Sequence, residues 1–196
     1  MPRVSRAQTD SNRAAIEEAA STLIRARGIQ GVSVADLMAE VGLTHGGFYG
    51  HFASKDALAA VACERAFAQA RERWEGRVAD QPPAAARAAL VNAYLSPHSR
   101  DSVATGCPLT ALASDVAREA PDKPIHTAYL AGTQALLDIL QAQQATGDAD
   151  TDHRQALVDL STLVGALLLS RATQGSAMSD ELLTAARAHL LPTPTL

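Results

Sequence analysis

The chain has 196 residues, 47% of them hydrophobic but only 4% aromatic, and a formal net charge of −4. That length suffices to bury a core, and the acidic balance excludes a protein that coats nucleic acid indiscriminately, which would be basic. Ala and Leu are abundant and no stretch alternates apolar with polar for long, so the pattern predicts an all-α fold and excludes a β-rich one.

Residues 1–9 carry Arg3 and Arg6 beside Pro2 and Ser5 and read as a basic arm suited to a phosphate or minor-groove contact, or else as a merely solvated terminus. Asp10 or Ser11 is expected to cap a first helix reaching Arg27, with Ile16, Ala19, Ala20, Leu23 and Ile24 on one face and Gly28 closing it. Ser33 then caps a short helix through Val34, Leu37, Met38 and Val41, and Gly42 stops it. Thr44 is expected to cap a second short helix over residues 44–51. Phe48 and Phe52, four apart, belong to its core side, and His45, Gly46, Gly47, Tyr49, Gly50 and His51 to its open side. So short and glycine-rich a helix needs outside support. Two short helices across a tight turn predict a helix-turn-helix whose second member enters the DNA major groove. Glycine inside a helix costs about 1 kcal/mol against alanine, and close approach of the backbone to DNA supplies a reason for it.

Ser54 caps a long helix, Lys55–Val78, carrying Leu58, Val61, Ala62 and Trp74. A lysine in its first turn opposes the helix dipole, so Lys55 is read as a phosphate ligand. The chain is divided after residue 56, into a head of residues 1–56 and a body of residues 57–196. Lys plus Arg and Asp plus Glu balance at six each in the head, against eleven and fifteen in the body. In the body, Gln81-Pro82-Pro83 interrupts the pattern, a helix spans 84–95, a loop spans 96–106, and helices follow over 107–120, up to 144, over 153–173 and over 179–190. The polar run ATGDADTD is read as a helix terminator. The penultimate helix is apolar on more than one side, which implies a partner for its second side.

The run RGIQGVSVADLMAEVGLTHGGFYGHFASKDAL, with FYGHFASKDAL (residues 48–58) its most diagnostic part, resembles the DNA-binding domain of the TetR/AcrR family of bacterial transcriptional regulators. The resemblance implies a homodimeric, ligand-responsive regulator, most readily a repressor, that leaves a palindromic double-stranded operator when a small-molecule inducer binds the body. It implies base-edge contact by His45, phosphate contact by Thr44 and Tyr49, and further backbone contacts by His51 and Lys55. The full set of expected DNA contacts is Arg3, Arg6, Ser33, Val34, Ala35, Thr44, His45, Gly46, Gly47, Tyr49, His51 and Lys55. Gly46, Gly47 and Gly50 offer no side chains to read with, so operator choice falls more on Ala35, His45 and DNA shape. An inducer pocket in the body is expected among Trp74, Tyr94, Cys107, Leu109, Leu112, His126, Tyr129 and Leu163. Pairing of the last two helices with their copies is expected at Leu157, Leu160, Val164, Gly165, Leu168, Leu182, Leu183 and Ala186.

Cys63 and Cys107 match no disulfide framework or metal spacing. Cys107, at a helix start where the dipole favours thiolate, carries an alternative reading as a redox or electrophile sensor. His98, His126 and His153 match no ligand signature, so neither metal nor cofactor is expected. No phosphate loop or nucleophile elbow is present, and Asp115 and Glu119 around Arg118 read as a solvated face, so catalysis is not expected. A helical protein-interaction module is the remaining alternative. With no N-terminal signal pattern and an apolar run over 157–169 too short to span a bilayer, a cytoplasmic location away from membranes is expected.

Overall fold

The computed structural model describes residues 6–191, and Arg3 lies outside them. Among the described residues there are nine α-helices, one 3₁₀ helix and no strand. The head is built from α1 (Arg6–Arg27), α2 (Val34–Glu40), the 3₁₀ helix (His45–Gly50) and the start of α3 (Lys55–Val78). The body adds α4 (Pro83–Tyr94), α5 (Pro97–Asp101), α6 (Pro108–Val116), α7 (Ile125–Gln141), α8 (Ala149–Ala172) and α9 (Ala177–Leu190).

Ile16, Leu37, Met38 and Phe48 are fully buried and tie α1, α2 and the 3₁₀ helix into one small core. The long α3 runs from that core into the body. On its head side the Arg65 guanidinium donates to Glu18 of α1, and Gln69 bonds the same carboxylate; Arg65 first, then Gln69, holds that carboxyl below its usual pKa against the opposing effect of burial. On its body side α3 packs on α7 at Gly132, where a Cβ would fall 2.1 Å from the Phe67 ring. Phe67 meets Tyr129 of α7 edge-on, with centroids 5.4 Å apart.

α4, α7, α8 and α9 converge on a buried polar clip. The Asp159 carboxylate, wholly inside, accepts from Arg87 Nε at 2.7 Å, Gln144 at 3.0 Å and Gln155 at 2.9 Å, while Arg87 also donates to the Leu190 carbonyl. Three side chains on one carboxylate offset the cost of taking its charge out of water.

Several boundaries differ from the sequence expectation. α1 is already helical at Arg6, so Asp10 and Ser11 lie inside it and Arg6 is part of a helix, not of an arm; a Gln8 to Asn12 hydrogen bond of 2.8 Å supports its first turns. The expected loop over 96–106 contains α5, because Ser96 caps it through the Ser99 N–H at 3.1 Å. α8 starts at Ala149, four residues before His153, since Asp148 in the polar run caps it through the Thr151 N–H at 3.0 Å. A stretch read as a terminator is thus also an initiator. α6 ends at Val116, and residues 117–120 lie outside it in a turn and irregular chain.

Candidate functional site

The head presents two short segments joined by Gly42, whose φ of +69° makes the turn. Ser33 caps α2 and completes a reciprocal capping box, its Oγ accepting from the Asp36 N–H at 3.1 Å while its own N–H donates to Asp36. The Ser33 hydroxyl, then its N–H, holds the Asp36 carboxyl below the usual range. The second segment is not the expected α-helix. It is a 3₁₀ helix, with Gly47 N–H donating to the Thr44 carbonyl at 2.9 Å and His51 N–H to the Phe48 carbonyl at 2.9 Å. Thr44 flanks it with extended backbone but makes no side-chain cap, contrary to expectation. Three glycines in six residues give an α-helix too little support, and the tighter turn is held by its neighbours instead.

Those neighbours are identifiable. Phe48 and Phe52 are buried, with centroids 5.7 Å apart. Arg13 of α1 lies over the Phe52 ring at 4.5 Å and donates to the His51 carbonyl at 2.6 Å, pinning the end of the segment. Nothing in the sequence pattern marks Arg13 for that role. On the opposite side Thr44, His45, Gly46, Gly47, Tyr49 and Gly50 are exposed, with His51 half-buried; Tyr49 is 66% exposed and stands edge-on to His45, centroids 6.4 Å apart. Ser33 and Ala35 are exposed and Val34 half-buried at the start of α2, and Lys55 is half-buried at the start of α3 with no ion pair among the described residues. Of the expected contacts from 33 to 55, Thr44, His45, Tyr49, His51 and Lys55 carry side chains able to hydrogen-bond base edges or phosphates, whereas Val34, Ala35, Gly46 and Gly47 do not.

The head is fastened to the body through α6. Asp115, read from sequence as solvated, is half-buried and accepts from the Ile29 N–H at 3.2 Å; Glu119 accepts from Gln30 at 2.5 Å. These two carboxylates form a junction, not a solvated face, because the turn closing α1 sits on them. Arg25, buried on the apolar side of α1, donates to the Gly106 carbonyl at 3.0 Å and to Gln69 at 2.9 Å. A charged residue in the register of Leu23 and Ile24 was the available sequence signal for it. Lys123, ahead of α7, pairs with Asp56 in the first turn of α3.

Beside the other end of α6 lies a cleft of about 180 Å³, floored by Trp74, Leu90, Tyr94 and Cys107 and rimmed by Arg73, Arg77, His98, Ser99, Ser102 and Thr105. Of the residues expected around an inducer, Trp74, Tyr94 and Cys107 meet there. Leu109, Leu112 and Leu163 are packed in the core instead, while the Tyr129 hydroxyl donates to the Leu109 carbonyl and the His126 ring lies against the Glu119 carbonyl. Burial pushes the Cys107 thiol up, ahead of the lowering contacts from Tyr94, the α6 amides and Arg73. Desolvation thus outweighs the helix-start effect expected to favour its thiolate. No group of three or more metal-ligating side chains occurs among the described residues.

α8 carries an outward stripe. Leu157, Val158, Leu168 and Leu169 are each 40–53% exposed, and a Cβ on Gly165 between them would touch nothing within 4 Å. Val164 and Ala186 are half-buried against the core and Leu182 is half-buried on α9, but Leu160 and Leu183 are in the protomer's own core and do not belong to the outer face. Val158 and Leu169 join the stripe unforeseen. By length and composition α8 is apolar enough to cross a membrane, yet it packs on α6, α7 and α9 and buries Asp159.

An exposed helix-turn-helix on a larger helical body is the architecture of a DNA-binding transcriptional regulator. The pattern of the bacterial regulatory proteins of the tetR family matches residues 16–62. Among solved structures, a TetR transcriptional regulator from Chloroflexus aurantiacus is 24% identical over 94% of each chain, with a TM-score of 0.76. A TetR-family regulator from Cytophaga hutchinsonii is 25% identical over 96% of each chain, with a TM-score of 0.71. FadR of Bacillus subtilis, in complex with stearoyl-CoA, is 14% identical, with a TM-score of 0.68, over 91% of this chain and 97% of its own. Among curated proteins no relative matches the sequence. Residues 16–62 thus carry the N-terminal pattern of the tetR family, and the chain as a whole shares the fold of these regulators.

Proposed function

We propose that this regulator is a cytoplasmic homodimeric repressor that sits on a palindromic double-stranded operator and leaves it when a small molecule occupies the body cleft. The observation that carries the reading is the pairing of one exposed 3₁₀ segment per chain with an apolar stripe on α8. One such segment reads half a site, and two, joined through α8 and α9, read successive major grooves. His45 supplies the base-edge donor, Tyr49, Thr44, His51 and Lys55 the phosphate contacts, and Ser33, Val34 and Ala35 the flank at α2. Arg6, on α1, reaches the DNA from the head's side. Residues 1–56 act as the reading head and 57–196 as the sensing and pairing body. The complex of FadR with stearoyl-CoA supports a body able to house a ligand. A ligand releases DNA only by binding the DNA-incompetent arrangement more tightly.

Anisotropy titrations of the full chain against DNA flanking its own gene, at a series of salt concentrations, test the reading. Specific binding with a steep salt dependence is expected, since phosphate contacts release counterions. His45→Ala and Lys55→Ala together should abolish specificity. The absence of any specific site would sink the function, and specific binding that survives the pair would sink the residue assignments.

A further inference from the structure

Two exposed arginines in the body have no ion-pair partner among the described residues. Arg73 and Arg77, one turn apart on α3, line the cleft over Trp74, Leu90 and Tyr94, and neither guanidinium forms an ion pair or side-chain hydrogen bond among the described residues. A third guanidinium, Arg25, is close enough for Arg73 to act on it unfavourably. Burial, ahead of other effects, holds the Arg73 pKa down, and Glu72 on the same helix is the one carboxylate that acts in its favour. No Asp or Glu lines the cleft, although the chain has 21 of them against 17 Lys and Arg. Both side chains are solvent-exposed above the buried Trp74, so they are available to a ligand, and their mutual repulsion favours an anion between them.

The other walls narrow what that something is. The floor is apolar and aromatic, with Trp74 and Tyr94 edge-on at 5.9 Å. The Tyr94 hydroxyl is already engaged with Thr110 at 2.7 Å, so Arg73 and Arg77, with His98 also on the rim, are the cationic groups that can recognise charge. A volume of about 180 Å³ lies below the roughly 300 Å³ at which pockets for drug-sized ligands begin, so the occupant is small. Paired guanidinium forks match a planar carboxylate bidentately.

We infer that the cleft takes a small aromatic carboxylate, its carboxylate held by Arg73 and Arg77 and its ring laid on Trp74, Leu90 and Tyr94. The assignment rests on the reading of the body as the sensing half of the regulator and names the chemistry of its ligand.

Trp74 is the chain's single tryptophan, so its fluorescence reports the cleft alone. The full chain is titrated with benzoate, phenylacetate and salicylate, with neutral benzamide, and with inorganic phosphate, and operator binding is measured on the same samples. A saturable change with at least one of the three carboxylates is expected, with benzamide and phosphate weaker than it by about tenfold or more. Arg73→Gln and Arg77→Gln should each weaken it by a similar factor, and the lysine variants, which keep charge but lose the fork, by less. Circular dichroism melting shows which variants are folded, and the lysine pair serves if the glutamine pair is not. Benzamide or phosphate binding as well as the carboxylates overturns the inference, as does an unchanged titration in a folded double variant. A flat response to all three carboxylates also overturns it, while operator binding in those samples leaves the regulator intact. Carboxylate binding that leaves operator affinity unchanged supports the cleft assignment and counts against ligand control of DNA.

Discussion

Gly46→Ala and Gly50→Ala separate what the fold needs in the 3₁₀ segment from what DNA needs. Neither glycine has a positive φ, and a Cβ added at either meets no atom within 4 Å, so the protein alone gives no reason for glycine at these positions. Alanine there restricts the unfolded chain and should stabilise the protein by about 0.4–1 kcal/mol per site. For a chain of this size that is a rise in melting temperature of roughly 2–8 °C for the two together. If the backbone approaches the groove closely, the same methyl groups stand between protein and DNA. Losing the equivalent of one base-edge contact, about 1–3 kcal/mol, weakens operator binding by roughly 5- to 150-fold. Gly76, in α3 and also open to a Cβ, provides the control: Gly76→Ala should raise stability without weakening DNA binding. Melting by circular dichroism and operator anisotropy at fixed salt measure both quantities. Stabilised variants with unchanged operator affinity would refute close approach as the reason for the glycines.

Leu168→Asp with Leu169→Asp puts charge on the exposed α8 stripe and should yield a monomer by light scattering, with operator affinity lost; a dimer that persists would place the interface elsewhere. Asp159→Asn leaves the Arg87 guanidinium, 19% exposed, facing a neutral amide, and calorimetry should show a loss of about 3–5 kcal/mol; a change too small to resolve would mean the clip is not buried in solution. Burial pushes the Cys63 thiol from an ordinary 9.0 up to about 12, so the unfolded chain loses this proton first as pH rises. Stability contributed there is intact below pH about 9 and falls toward pH 12 by up to about 1.4 kcal/mol per pH unit, and Cys63→Ala should flatten that fall in melting curves; parallel slopes would argue against it.

Much of the head was legible because its signals are local. Ser33, Gly42 and Ser54 announce helix ends through their own chemistry, and the spacing of Phe48 and Phe52 reports which side faces inward. What escaped was the type of the short helix, since three glycines weaken the α form and the decisive support, Arg13 on the His51 carbonyl, comes from 38 residues away. The body was less legible for the same reason. Leu160 and Leu183 share a residue type with Leu157 and Leu168, and only the packing of α8 on α9 sorts inner from outer. The cleft was half visible: its aromatic floor could be chosen by residue type, but Arg73 and Arg77 look in sequence like two more solvated charges on a long helix.

The placement of α6 explains how a body ligand would reach the head in the proposed regulator. Its first residue follows Cys107 at the cleft floor, and Asp115 in its last turn and Glu119 just beyond its end hold the turn that closes α1. That turn has little slack, since Gly28 sits at φ +76° and a Cβ there would lie 2.8 Å from the Asp115 carboxylate. A helix gripped so closely at one end transmits a displacement at the other, because packed interfaces change between discrete arrangements and do not stretch. Arg25 adds a second link, from α1 to the Gly106 carbonyl on the same side of the cleft. An occupant that shifts the 106–108 segment therefore acts on α1 by two routes, and α1 in turn holds the 3₁₀ segment through Arg13. Coupling by this chain requires that removing Asp115 and Arg25 contacts weaken the ligand's effect on DNA more than they weaken either binding event alone.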